Sequence, residues 1–212
     1  MSHDDLIRQL ASHVPAVPRR AAARRITRAI VVGGVITLGL VLLGLGVRTD
    51  ITTAVATAPF WYKAAYTASF AICGVILLLQ VARPDTAHLR WAWLWLVPLA
   101  VMGLACVLEL ARTPAWKWSE RLMHPPWACP LIVLILSAPV FAGLVWAFRR
   151  LAPTNLPLAG AAIGLASGAV AATLYCLYCE AVSPLYIFTR YTLGIGLATA
   201  AGALVGPRML RW

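Results

Sequence analysis

The stretch Leu158–Cys179, LAGAAIGLASGAVAATLYCLYC, decides the architecture. It carries no charged side chain. At a rise of about 1.5 Å per residue it is long enough to cross a ~30 Å hydrocarbon core as an α-helix. Lipid offers the backbone no hydrogen-bond partners, so such a segment spans as a helix. Five further apolar runs are read as spans as well: Ala29–Val47, Ala64–Ala82, Trp91–Leu110 (with Glu109 near its end), Cys129–Phe148 and Tyr191–Gly206. None shows the alternation over about ten residues that a membrane β-strand requires.

The whole composition agrees. The 212 residues are 61% hydrophobic and 12% charged, with a mean hydropathy of +0.81. A soluble domain is about 45–50% apolar and about 25% charged. One water-soluble core of this size cannot absorb the excess. The sequence therefore predicts an all-α polytopic membrane protein. It has six transmembrane helices (residues 29–212) and a short N-terminal cytoplasmic tail (residues 1–28). Soluble enzyme folds, secreted disulfide scaffolds and disordered chains are excluded. The first run follows a basic region, as a signal peptide does, but it exceeds the ~7–15 apolar residues of a signal and reads as a retained anchor.

Basic residues set the orientation. Of the 18 Lys and Arg, two thirds fall on the tail, on the second and fourth connections, and on the C-terminus. This places both termini in the cytoplasm of a bacterial inner membrane. The net charge of +11 reports that asymmetry and contact with anionic headgroups, with no direct nucleic-acid binding implied. The third loop, Ala111–Ala128, holds Trp116, Trp118 and Trp127 and is expected at the outer interface.

No Asp, Glu, Lys, Arg or His stands in the middle of a span, which argues against a pump or metal transporter. No catalytic triad, phosphate loop or metalloprotease helix is present, so no catalytic residue is assigned and no enzyme is expected. Small residues recur every four positions in the last two spans: Gly160, Gly164, Gly168 and Ala172, then Gly194, Ala198, Gly202 and Gly206. Such stripes let helix backbones approach closely. Two readings stay open, packing of the fifth helix on the sixth and a homodimer face.

Five cysteines remain. Cys73 lies deep in the second span, while Cys106, Cys129, Cys176 and Cys179 gather near the outer face. Cys176 and Cys179, at i,i+3, are expected on one helix face. Glu109, Glu180 and His124 lie nearby in sequence. Three readings stay open: inert buried thiols, a disulfide, and a sensor of soft metals or oxidants. No tightly bound cofactor is expected, only a transient soft-metal ion as signal.

In the tail, Leu6, Ile7, Leu10 and Val14 fall at helical spacing behind Ser2, Asp4 and Asp5, and Pro15 ends the segment. This stripe can lie on the membrane surface or enter a groove on a soluble partner.

Further residues carry a family resemblance. They are Cys129-Pro130, Leu-Ser-Ala-Pro at 136–139, Leu151-Ala152-Pro153-Thr154, Ala-Gly-Ala-Ala at 159–162, Tyr175, Cys179-Glu180 and Tyr191-Thr-Leu-Gly-Ile195. With the tail from Leu6 to Arg19, the chain resembles the NrsF-type anti-sigma factors. These are six-span inner-membrane proteins that hold an extracytoplasmic-function sigma factor inactive. The resemblance implies that the tail binds the sigma factor. It implies that two cysteines, matching Cys129 and Cys179, answer heavy-metal or oxidant stress. It assigns no role to Cys106 or Cys176. The family favours an aromatic where Arg190 stands here. One enzymatic alternative remains, a quinone-linked thiol oxidase using Cys106 with Cys129 and Cys176 with Cys179.

Overall fold

The structure is a computed structural model; it describes residues 21–82, 96–114, 116, 118, 128–151, 153 and 155–211. Among the described residues all regular structure is helical. Helix α1 spans Ala21–Leu40 and continues into a π-helical turn, Val41–Leu45. Helix α2 spans Ala58–Val81 and α3 spans Leu96–Arg112. A pair in series follows, α4 at Ala128–Leu136 and α5 at Ala138–Phe148. Helix α6 spans Leu156–Tyr175. A short turn, Pro184–Tyr186, and a second π-helical turn, Ile187–Tyr191, lead into α7, Thr192–Met209.

Among the described residues, four units are long and apolar enough to cross a membrane: α1 with its π turn, α2, the α4–α5 pair, and α6. Large apolar side chains cover the outside of the bundle. Leu43 is 92% exposed, and Val35 on α1 and Val101 on α3 are open as well. A monomer in water rarely shows so much contiguous apolar surface.

Helix α6 is the centre of the bundle. Its most apolar window is 72% buried, against 28% for α1. It touches α1, α2, α4, α5 and α7. Asn155 starts it, accepting the Leu158 N–H at 3.0 Å, and Pro157 occupies the first turn, where its missing donor costs nothing. Its glycine stripe faces α7. A Cβ on Gly160 would overlap the Gly202 carbonyl, and one on Gly164 would overlap the Ala198 carbonyl. The spacing reserved for a homodimer face is thus occupied within the chain by α6 against α7. Gly206 also meets Gly160, and Gly168 meets Ala198. Gly194 differs, because it faces Pro130 and Val133 of α4.

Elsewhere the sequence expectation needs adjustment. The fourth span holds as one unit, Ala128–Phe148, but carries a one-residue interruption at Ser137, because Pro139 cannot donate back into the helix. Buried Thr37 of α1 donates to the Leu136 carbonyl at 3.1 Å, tying the break to α1. The fifth helix stops at Tyr175 and not at Cys179. Its end tightens through Cys176, Leu177 and Tyr178, whose amides bond three residues back. Cys176 and Cys179 therefore do not share a helix face. Residues 21–28, read as part of the tail, are helical and continuous with α1. Leu6, Ile7, Leu10, Val14 and His124 lie outside the described residues.

Candidate functional site: a thiol pair at one end of the bundle

Cys129 sits in the first turn of α4, and Cys179 on the irregular segment after α6. About fifty residues apart in sequence, the two side chains line one cavity, close enough that each thiol shifts the other's protonation. Both are free and buried. Two tyrosine hydroxyls hold the Cys129 sulfur, Tyr175 Oη at 3.0 Å and Tyr186 Oη at 2.9 Å. A third, Tyr191, faces the sulfurs of Cys176 and Cys179. Tyr175, Tyr186 and Tyr191 are among the largest fully buried side chains. Tyr175 ends α6, whereas Tyr186 and Tyr191 bracket the π turn before α7. The thiol cluster thus joins α4, α6 and α7.

The segment carrying Cys179 is fastened from three sides. From α2, Lys63 Nζ donates to the Cys179 carbonyl at 2.6 Å and the Ala181 carbonyl at 3.2 Å, and Tyr62 donates to the Val182 carbonyl. From α3, Glu109 accepts the Ser183 hydroxyl at 2.8 and 2.9 Å and the Leu185 amide at 2.8 Å. From the α1–α2 connection, the Arg48 amide donates to the Leu177 carbonyl at 3.2 Å. Irregular backbone at membrane depth must satisfy its carbonyls inside the protein. Lys63 and Tyr62 perform that task.

Lys63 is 1% exposed. The sequence places it in an outer loop; the structure places it inside α2. A buried ammonium is costly unless paired, and its partners here are carbonyl oxygens with the Cys179 sulfur close by. Cys179 lies beyond the end of α6. Its thiol is held below the ordinary thiol range, chiefly by the hydrogen bond from Cys129. Burial opposes this, and Lys63 and Tyr191 add to it. A lowered thiol is the reactive and metal-binding form.

A cavity of about 400 Å³ opens onto the pair, lined by Val47, Arg48, Tyr178 and Glu180 among others. Arg48 is locked to Asp50, with its Nε 2.6 Å and a terminal nitrogen 2.7 Å from the carboxylate oxygens. That bond holds Asp50 below its usual range. The cavity gives small reagents a path to the sulfurs.

The other sequence candidates are distributed differently. Cys106 lies on α3 beside Glu109. Cys176 Sγ bonds the Ala172 carbonyl at 3.4 Å and faces Thr67 Oγ1 at 3.8 Å, away from Cys129. Glu180 lines the cavity. The thiol contact is Cys129 with Cys179, neither of the pairs a thiol oxidase would draw from sequence order. Among the described residues no three His, Cys, Asp or Glu side chains converge, so a metal here would rest on two thiols. Sequence reading missed Lys63 and the hydroxyls of Tyr186 and Tyr191. The available signals were a lone Lys one turn inside an apolar helix and two tyrosines flanking Arg190.

A bundle in which four helical units, among the described residues, are long and apolar enough to cross a membrane is that of a membrane protein, and comparison with known sequences supplies its class. The family described as "Negative regulator of sigma F" matches residues 10–212. The probable anti-sigma-F factor NrsF of Azospira oryzae is 36% identical over 215 residues, covering 100% of both chains. The anti-sigma-F factor NrsF of Caulobacter vibrioides is 34% identical over 217 residues, again with 100% of both chains covered. No solved structure matches. The chain belongs to the NrsF family of negative regulators of sigma F.

Proposed function

We propose that this protein is a six-span inner-membrane anti-sigma factor, with no catalytic residues, both termini cytoplasmic and an extracytoplasmic-function sigma factor as its partner. The tail, through Leu6, Ile7, Leu10 and Val14, holds the sigma factor away from RNA polymerase. Cys129 and Cys179 receive the signal. The observation that carries the sensing role is their convergence on one cavity, Cys129 from α4 and Cys179 from the irregular segment after α6. A two-electron oxidant takes two electrons and two protons from the thiols and leaves a disulfide. A soft cation displaces the same two protons and is held by two thiolates. Either event changes the link between α4 and the segment feeding α7. Coupling of ~1–3 kcal/mol between this end and the tail suffices to release a useful fraction of the partner.

The test is affinity purification of the intact protein from gently solubilised membranes, with and without cadmium or diamide. A small sigma factor present at rest and lost on treatment is expected. Cys129→Ser with Cys179→Ser is expected to retain it under both conditions. Release from that double variant removes the cysteines from the scheme, and absence of any sigma factor at rest removes the function itself.

A further inference from the structure

The end of the bundle opposite the thiols is a field of arginines. Arg24, Arg25, Arg28, Arg149, Arg150 and Arg208 all lie there; Arg149 Nε reaches the Met209 carbonyl at 2.7 Å, which draws the end of α7 into the group. The carboxylates among the described residues, Asp50, Glu109 and Glu180, all lie at the thiol end. Nothing acidic among the described residues neutralises the arginines.

A groove of about 290 Å³ starts in this field and runs toward the middle of the bundle between α1 and α5. Arg28 stands at its mouth. Its walls are Val32, Gly33, Ile36, Pro139 and Trp146. The groove exists because α1 lies directly on α5: a Cβ on Gly33 would come within 2.6 Å of the Val140 Cα. Trp146 stays 62% exposed, and the Arg150 guanidinium stacks over its ring at 5.4 Å. A cation–π contact consumes none of the five guanidinium N–H donors. Neither Arg28 nor Arg150 has a side-chain hydrogen-bond acceptor among the described residues.

We propose that this groove binds one anionic phospholipid, its phosphate between Arg28 and Arg150 and an acyl chain along Val32, Ile36 and Trp146. The proposal rests on the membrane reading given above. Charge complementarity selects the occupant: two guanidinium groups with open donors, at the rim of an apolar slot, match an anionic headgroup carrying hydrocarbon. The site is also placed to matter, because α1 continues directly from the tail. A lipid wedged against α1 fixes the angle at which that tail leaves the membrane.

The experiment is native mass spectrometry of the full chain released from nanodiscs made of equal phosphatidylcholine and phosphatidylglycerol. The wild-type protein is expected to retain a single phosphatidylglycerol in preference to phosphatidylcholine. Arg28→Gln with Arg150→Gln is expected to lower that preference by about tenfold or more. Arg24→Gln with Arg208→Gln removes equal charge from the same end and is expected to leave it unchanged. Both double variants alter exposed side chains, and monodisperse elution confirms their fold. Equal losses in the two variants, or no headgroup preference in the wild type, would overturn the site in favour of diffuse attraction. A protein that reached neither lipid and dissolved without detergent would undo the membrane reading itself.

Discussion

Oxidation of the purified protein with diamide is expected to produce one intramolecular disulfide, between Cys129 and Cys179. Both thiols line one cavity and each perturbs the other's protonation, so the approach needed to join them is short. The bond closes a loop of about 50 residues, for which lost denatured-chain entropy contributes about 4 kcal/mol. Against this stands the thiol–thiol hydrogen bond given up, ~1 kcal/mol. The net gain of ~3 kcal/mol corresponds to a Tm rise of roughly 6–12 °C for a chain of this length. Non-reducing peptide mapping identifies the pair, and a thermal melt in detergent gives the shift, reversed by dithiothreitol. A crosslink mapped to Cys106–Cys129 or Cys176–Cys179 refutes the geometry. An oxidised form that melts below the reduced one refutes the claim that the pair is poised for bonding.

Three other outcomes follow from the same packing. Gly164→Ala forces a methyl group into the Ala198 carbonyl and should lower stability by ~1–3 kcal/mol, whereas Gly34→Ala, with nothing within 4 Å, should leave it unchanged or raise it slightly; parallel melts compare them. Lys63→Met removes a positive charge beside Cys179, so alkylation of that cysteine, followed by mass spectrometry across pH, should begin at higher pH than in the wild type; an unmoved profile would separate Lys63 from the thiol. Tyr186→Phe deletes one 2.9 Å contact to Cys129 and should cost about 1 kcal/mol, read from a thermal melt in detergent.

Apolar runs predicted where helices lie, because composition alone separates lipid-compatible segments from connections. The cysteines and the small-residue stripes were visible for a similar reason: thiols and glycines announce themselves by type, while the choice of Cys129 with Cys179 came only from the family resemblance. Residues whose role depends on where a helix stops were not visible. Reading Cys176 and Cys179 as one face assumes that α6 continues, but it tightens and unwinds after Tyr175. Lys63 looked like a loop charge, because nothing in its neighbours shows that three carbonyls of a segment over a hundred residues away need donors from α2. The aromatic-to-Arg190 difference drew attention to that position, while the contact to sulfur is made by Tyr186, four residues earlier.

The π turn at Ile187–Tyr191 sets the phase of everything after it. In a regular α-helix, residues five apart point about 140° away from each other. The wider ring of the π turn turns Tyr186 and Tyr191 toward one side, where Tyr186 Oη contacts the Cys129 sulfur and Tyr191 is buried beside the thiols. The same extra residue fixes the rotation of α7, and so decides that Ala198, Gly202 and Gly206 meet α6. Insertions and deletions in this stretch are therefore not local events. Shortening it by one residue would keep a helix but swing the glycine stripe by about 100°, exchanging a fitted seam for leucine and valine side chains. Length at 187–191 is constrained as tightly as residue identity.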